Sequence, residues 1–178
     1  MSTLYFTRHG ETVWNVANKI CGATDIPLTE KGHAQAIALG EHIRDEQLPI
    51  DAILYSPLMR AADTAIHISE ITGIPAFAEP ALTEQNFGKY EGTPRDSASF
   101  MIAKAHISDR FDGGESMLQL GQRIYNLLDR LKDDPRTYLL VAHGGIARMV
   151  RTYFTDLTNE EFARSGLKNC ELLRYEFK

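Results

Sequence analysis

Two short apolar runs, one at each end of the chain, stop in the same way, in a histidine followed by glycine. Near the start, Leu4-Tyr5-Phe6 gives way to Thr7-Arg8-His9-Gly10-Glu11-Thr12. Near the end, Tyr138 to Ala142 gives way to His143-Gly144-Gly145. A compact apolar run bounded by turn residues reads as a buried strand. Either stretch alone would pass for a strand capped by a solvated polar group. Two of the same design limit the choice sharply, because ligand sites in open α/β sheets lie just beyond the carboxyl ends of strands. Arg8, His9 and His143 are therefore expected at such an end, with Gly10 allowing a tight departure of the chain.

The residues between the two runs supply the rest of such a sheet. Thr29 is a plausible N-cap for a helix with Ala36, Leu39, Gly40 and Ile43 on one face. Ile50 to Tyr55 has strand character and ends at Ser56-Pro57, with Pro57 expected in the first turn of the next helix. Ala61, Ala65, Ile68 and Ile71 form that helix's stripe, and Gly73 with Pro75 stops it. Ile74 to Ala78 reads as a short strand. The pattern weakens from Glu79 to Asp112, where Phe100, Ala103 and Ile107 suggest a helix over Pro94 to Ser108. Ser116 caps a clearer helix that buries Met117, Leu120, Ile124, Leu127, Leu128 and Leu131. Gly144-Gly145 opens a helix carrying Ile146, Met149, Val150 and Tyr153. Glu171 to Phe177 alternates, as an edge or half-exposed strand does. Strands alternating with helices predict a mostly parallel sheet covered on both faces. With 178 residues and no linker or repeat, residues 1–178 are expected to form one domain.

Composition excludes several function classes. The net charge of −5 argues against nucleic-acid or anionic-membrane binding, though a local arginine cluster could still hold a phosphorylated substrate. Cys21 and Cys170 are too few for a disulfide framework, and no Cys-x-x-Cys metal pattern occurs. No apolar run approaches the roughly 20 residues of a membrane span. No signal peptide is visible, so a cytoplasmic protein is expected.

If the strands are parallel neighbours, Arg8, His9, Arg60 (in the turn after Ser56-Pro57) and His143 converge beyond the sheet. The helix opening at Gly144 adds N–H donors and a positive dipole end. Two guanidiniums and a helix N-terminus make an anion site, since the planar fork matches phosphate oxygens. A transition metal is disfavoured beside two permanent cations. An imidazole among cations stays neutral and nucleophilic near neutral pH. Glu84, in the loop-like Leu82 to Gly88 stretch, is the candidate proton donor, and Asn15 could orient a ring or a ligand oxygen. His33, His42, His67 and His106 read as surface residues without partners.

The ordered set of motifs resembles the histidine phosphatase superfamily, also called phosphoglycerate mutase-like. It comprises Arg8 to Thr12 with Asn15; Asp25, Pro27-Leu28-Thr29 and Gly32; and Ser56-Pro57 through Arg60-Ala61 to Thr64-Ala65. Leu82 to Gly88 with Glu91-Gly92, Gly114-Glu115-Ser116 and His143-Gly144-Gly145 complete it. The resemblance implies a three-layer α/β/α sandwich and a phosphohistidine mechanism on a small phosphorylated substrate, with no metal or organic cofactor. It implies His9 as nucleophile, Arg8, Arg60 and His143 as ligands of the phosphoryl oxygens, and Glu84 as general acid. Asn15, Cys21, Gly22 and the Gly144 backbone would lie beside the substrate.

The chain departs from the mutases in the segment from Gly92 to Gly114, which is short. Its Arg95, Lys104 and Arg110 are expected to face Asp96, Asp109 and Asp112 and sum to no charge. A neutral, short lid predicts hydrolysis in preference to mutase-type transfer. The alternatives are phosphoglycerate mutase-type phosphoryl transfer and a phospho-ligand-binding module without catalysis. Oligomeric state is not legible.

Overall fold

The computed structural model describes residues 2–178. Five strands form one sheet: β1 (Thr3–Arg8), β2 (Ala52–Tyr55), β3 (Ala76–Ala78), β4 (Tyr138–Ala142) and β5 (Leu172–Glu176). Their order is β3-β2-β4-β1-β5. The first four strands run parallel, and β5 lies antiparallel on the outer side of β1. The two histidine-terminated runs are therefore the adjacent pair β1 and β4 at the middle of the sheet.

The helices are α1 (Val13–Val16), α2 (Glu30–Asp45), α3 (Met59–Thr72), α4 (Ala98–Lys104), α5 (Met117–Lys132), α6 (Gly144–Phe154) and α7 (Asn159–Arg164). Strand residues alternate between two cores, as the period-2 pleat requires. Leu4, Phe6, Leu140 and Ala142 pack with α5 and α6 through Leu120, Ile124, Ile146 and Val150. Tyr5, Ile53, Leu139 and Val141 pack with α2 and α3 through Leu39, Ile43, Ala65 and Ile68. This is the expected three-layer arrangement, with the expected antiparallel edge strand. A third, smaller cluster of Ile20, Phe87, Phe100, Ala103 and Phe111 sits under α4. Among the described residues no helix is long and apolar enough to cross a membrane.

Several local expectations change. The helix anticipated over Pro94 to Ser108 is only Ala98–Lys104. Phe100 and Ala103 are buried on the small cluster, but Ile107 is 59% exposed, so no packing extends the helix to it. Pro57 lies outside α3, whose N-cap is Leu58. His33 and His67 are not isolated surface residues: Nδ1 of one and Nε2 of the other are 2.9 Å apart, joining α2 to α3.

Candidate active site

The register of β1 on β4 builds the site. Arg8 pairs with Ala142, so His9 and His143 leave neighbouring strands at the same level. The His9 N–H still donates to the Ala142 carbonyl (2.9 Å), and the two rings stand 5.2 Å apart between centroids. Gly10 then turns away in a space no side chain could share, because a Cβ there would lie 2.3 Å from the Gly32 carbonyl oxygen. The Gly10 N–H donates to Thr64 Oγ1 (3.0 Å), which in turn donates to the Arg60 carbonyl (2.7 Å).

Hydrogen bonding determines the state of both rings. His9 Nδ1 lies 2.6 Å from the Gly10 carbonyl oxygen. A carbonyl only accepts, so Nδ1 carries the proton, and Nε2 faces the pocket as an unprotonated nitrogen. His143 Nε2 is 2.7 Å from Ser56 Oγ, itself the acceptor of the Leu58 N–H. If the serine donates to Nε2, the ring's own proton lies on Nδ1, a buried atom with no partner in the protein. Burial, reinforced by Arg60 and Arg8, holds the His9 ring well below its ordinary pKa. Burial and the Arg60 charge do the same for His143. Both rings are neutral at neutral pH.

Arg60 is fully buried, its Nη1 donating to the Thr24 carbonyl (2.9 Å) and its Nη2 to the Gly22 carbonyl (2.7 Å). The loop that offers those carbonyls is itself held by Glu91. One Glu91 oxygen accepts from the N–H groups of Ala23 and Phe87, both at 3.0 Å. The other accepts from the Gly22 N–H (3.0 Å) and the Thr24 hydroxyl (2.7 Å). Arg8 donates through Nη1 to the Leu167 carbonyl (2.8 Å) while its Nε has no partner. Burial and the nearby Arg95 bring the Arg8 guanidinium down to about 10.

Glu84 is buried opposite these groups. Its two oxygens accept from the Gln85 N–H (2.9 Å) and from the Gly145 N–H (2.8 Å) in the first turn of α6. A Cβ at position 145 would lie 2.5 Å from the carboxylate, so glycine is what admits the contact. The donors expected from the start of α6 for an external anion are thereby shared: Gly145 serves Glu84, and Gly144 remains on the pocket wall. Arg123 braces the Glu84 loop from behind, donating to the Ala81 and Thr83 carbonyls and to both oxygens of Glu115.

A cavity of about 340 Å³ opens here, lined by Arg8, His9, Asn15, Cys21, Glu84 and Gly144 together with residues of α4 and α6. Arg60 and His143 are buried beside the cavity, the His143 ring next to His9, with Arg60 Nε and His143 Nδ1 left without protein partners, and Gly22 contributes its carbonyl to Arg60. Asn15 caps its own helix start, its Oδ1 accepting from the Thr12 N–H (3.0 Å) and from Asn169 (3.3 Å). Burial pushes the Cys21 thiol up, so it remains an uncharged wall residue. No cluster of metal-ligating side chains occurs among the described residues.

Among the lining or supporting groups outside the expected site are Arg95, Lys104, Arg148 and Asn169. Arg95 and Lys104 turn into the cavity, whereas Asp96, Asp112 and Arg110 are exposed and Asp109 accepts the Phe111 N–H. The acids and bases of this segment do not face each other, which corrects the expectation of a neutral lid. Arg148 had a readable signal, because it lies four residues after Gly144 on the same helix face. Asn169, which donates to the His9 carbonyl (2.9 Å), comes from the turn before β5 and had none.

The profile of the histidine phosphatase superfamily (branch 1) matches residues 4–178. A probable phosphoglycerate mutase, GpmB, of Yersinia pestis (strain Pestoides F) is 33% identical over 187 positions, covering all of this chain and 86% of its own. The structure of a mycobacterial glucosyl-3-phosphoglycerate phosphatase complexed with VO3 superposes with a TM-score of 0.83 at 28% identity, over 98% of this chain and 90% of that one. Bacillus stearothermophilus YhfR gives 0.84 at 29% identity, over 100% and 92%.

Proposed function

The chain belongs to the histidine phosphatase superfamily (branch 1), and we propose that within it this protein is a phosphomonoester hydrolase working through a phosphohistidine on His9. The observation that carries this is the His9 tautomer. With Nδ1–H committed to the Gly10 carbonyl, the Nε2 lone pair is an uncharged nucleophile on the wall of a cationic pocket.

In the first step Nε2 attacks phosphorus and the bond to the ester oxygen breaks. Glu84, as the acid, gives its proton to the departing alkoxide. Arg8, Arg60 and the Nδ1–H of His143 bind the non-bridging oxygens, where charge develops. The Gly10 carbonyl steadies the positive charge of the phosphorylated ring. In the second step Glu84, now a carboxylate, takes a proton from water as that water attacks phosphorus, and the N–P bond returns its electrons to Nε2. Asn169 and Asn15 keep the His9 backbone and the adjacent turn in place.

Hydrolysis is favoured over transfer by the mouth of the cavity. Met101, a lining residue on α4, is 58% exposed, and its neighbour Ile102 is 64% exposed. A rim this open admits water to the phosphohistidine. We place the whole of 1–178 in one catalytic unit, acting on a small phosphorylated molecule in the cytoplasm.

The test is twofold. Rapid mixing with a labelled aryl phosphate should leave acid-labile, base-stable label on wild type and none on His9→Ala. With 3-phosphoglycerate primed by 2,3-bisphosphoglycerate, phosphate release should exceed formation of 2-phosphoglycerate. Label persisting in His9→Ala would reject the nucleophile, and interconversion faster than release would replace the hydrolase with a mutase.

A further inference from the structure

Arg8 Nε, Arg60 Nε and His143 Nδ1 are buried nitrogens without a partner in the protein. Both guanidiniums spend other nitrogens on carbonyls, Arg8 on that of Leu167 and Arg60 on those of Gly22 and Thr24. Their Nε hydrogens are permanent, because arginine keeps its proton in a protein. The imidazole is different. Its Nδ1 either carries a proton or offers a lone pair, and a lone pair would repel a phosphoryl oxygen. Whether His143 helps or hinders an anion therefore depends on its tautomer.

The sheet brings one group to the ring that can decide this. β2 pairs with β4 so that Tyr55 lies opposite Val141. Ser56, the next residue, donates its N–H to the Val141 carbonyl (3.0 Å). Its side chain is thereby set beside His143, and Oγ lies 2.7 Å from Nε2. Both residues are buried, so water does not compete for the contact.

Counting donors and acceptors separates the two tautomers. Ser56 Oγ accepts the Leu58 N–H (3.3 Å), and among the described residues its proton has no acceptor but Nε2. With the ring proton on Nδ1, the serine donates to Nε2 and one N–H is left open beside the site. With the ring proton on Nε2, the serine must accept it. The hydroxyl proton is then stranded, and Nδ1 becomes a second unpaired atom. Stranding a buried donor is costly, so the first arrangement wins. Burial and the Arg60 charge keep the ring from taking both protons.

Resting on the hydrolase reading above, we propose that Ser56 is a positioning residue: by donating to His143 Nε2 it holds the ring in the Nδ1–H tautomer, so that a neutral histidine presents a hydrogen-bond donor to the phosphoryl oxygens. A carbonyl in place of Oγ would do the opposite and force the proton onto Nε2. Gly10 treats His9 in that way, its carbonyl taking Nδ1–H and leaving Nε2 bare. The two rings, 5.2 Å apart, thus share one tautomer and show opposite ends. His9 offers a lone pair to phosphorus and His143 an N–H to oxygen.

The first test is the ring spectrum of protein carrying ¹⁵N-labelled histidine at pH 7, with the His143 signals identified by their loss in His143→Ala. Wild type should show the proton on Nδ1 and a bare Nε2, and Ser56→Ala should move the proton toward Nε2. A wild-type ring protonated on Nε2 would overturn the proposal with no serine variant needed. The second test is a kinetic cycle on an aryl phosphate. Removing an oxyanion donor costs about 10²–10³-fold, and Ser56→Ala misdirects the donor without deleting it. It should therefore lose about 10- to 100-fold in kcat, with KM changed less, because the bond strengthens as charge develops. In the His143→Ala background the same serine substitution should cost no more than about threefold. A full, additive loss there would mean that Ser56 acts through Leu58 and the start of α3, and an unchanged kcat in Ser56→Ala would mean that it does not act at all. Either result overturns the proposal and leaves the hydrolase reading standing. A wild type that hydrolyses no aryl phosphate would instead reject the hydrolase reading, and with it the catalytic consequence assigned to the serine.

Discussion

Glu91→Gln should damage the site without touching the substrate. The Glu91 carboxylate accepts from Ala23, Phe87, Gly22 and Thr24, and that loop's carbonyls at 22 and 24 are the ones that grip Arg60. Glutamine keeps the shape and one acceptor oxygen but turns the other side into a donor. The two bonds to the retained oxygen lose their charge assistance, roughly half their strength, or about 1 kcal/mol together. The Gly22 N–H then faces an NH2 group, which leaves a buried donor unsatisfied at about 1–3 kcal/mol. The Thr24 hydroxyl can rotate to accept and adds little. The sum is about 2–4 kcal/mol, which for a domain of this size lowers Tm by about 4–16 °C. Because the loop moves, Arg60 loses its fixed fork, so inhibition by vanadate should weaken by about tenfold or more even well below the new Tm. The assays are thermal unfolding and vanadate inhibition of aryl phosphate hydrolysis at 20 °C. A variant with lowered Tm and unchanged vanadate affinity would break the link from Glu91 through the loop to Arg60. An unchanged Tm would refute the hydrogen-bond reading altogether.

The other expectations concern the reacting groups. Glu84→Gln should lose about 10²–10⁴-fold in kcat on alkyl phosphates and much less on esters of acidic phenols, which leave without a proton; equal losses would remove Glu84 from proton transfer. Arg60→Lys cannot span the Gly22 and Thr24 carbonyls and should cost about tenfold or more in vanadate affinity, measured as a competitive inhibition constant. His9 and His143 hold folded-state pKa values well below the usual 6.5. Between those values and 6.5 the unfolded chain binds protons that the native one refuses, so stability rises with pH in that window and is lost as pH falls through it. The slope is at most about 1.4 kcal/mol per pH unit for each ring. Plotted from pH 7 to 5, the Tm of His143→Asn should fall less steeply than that of wild type, and parallel curves would contradict the buried, neutral ring.

Most of the fold was legible because its signals are local and periodic. Tyr138 to Ala142 is the predicted strand to the residue, and α5 starts at the predicted Ser116 with its capping box. The segment after Glu79 was not legible, because its order depends on a separate cluster rather than on the sheet. Phe100 and Ala103 find partners in Phe87 and Phe111, and Ile107 finds none, a distinction that helical spacing does not contain. The short helix α7 did carry a signal, the Thr158 to Glu161 capping box, but too little apolar periodicity followed it to stand out. The pairing of His33 with His67 depends on how α2 crosses α3, which no single helix pattern encodes.

The site divides along the same line. Arg8, His9 and His143 were readable because they stand at the ends of β1 and β4, whose register brings them together, whereas Arg60 opens α3 and Glu84 lies in a loop, where the resemblance to the family's motifs singled them out. The lid was misread because charge was summed along the chain. A sum discards direction, and in this segment direction decides the potential inside the cavity. Arg95 is aimed inward by the bridge to Lys19, and Lys104 sits one turn from the buried Phe100 on α4. Asp96 and Asp112 remain in water, where their fields are screened within roughly 10 Å. A segment neutral on paper is therefore cationic toward the substrate. The contrast between hydrolysis and transfer cannot rest on a lack of positive charge here. In the proposed mechanism it rests on water, admitted at a cavity mouth where Met101 stands exposed.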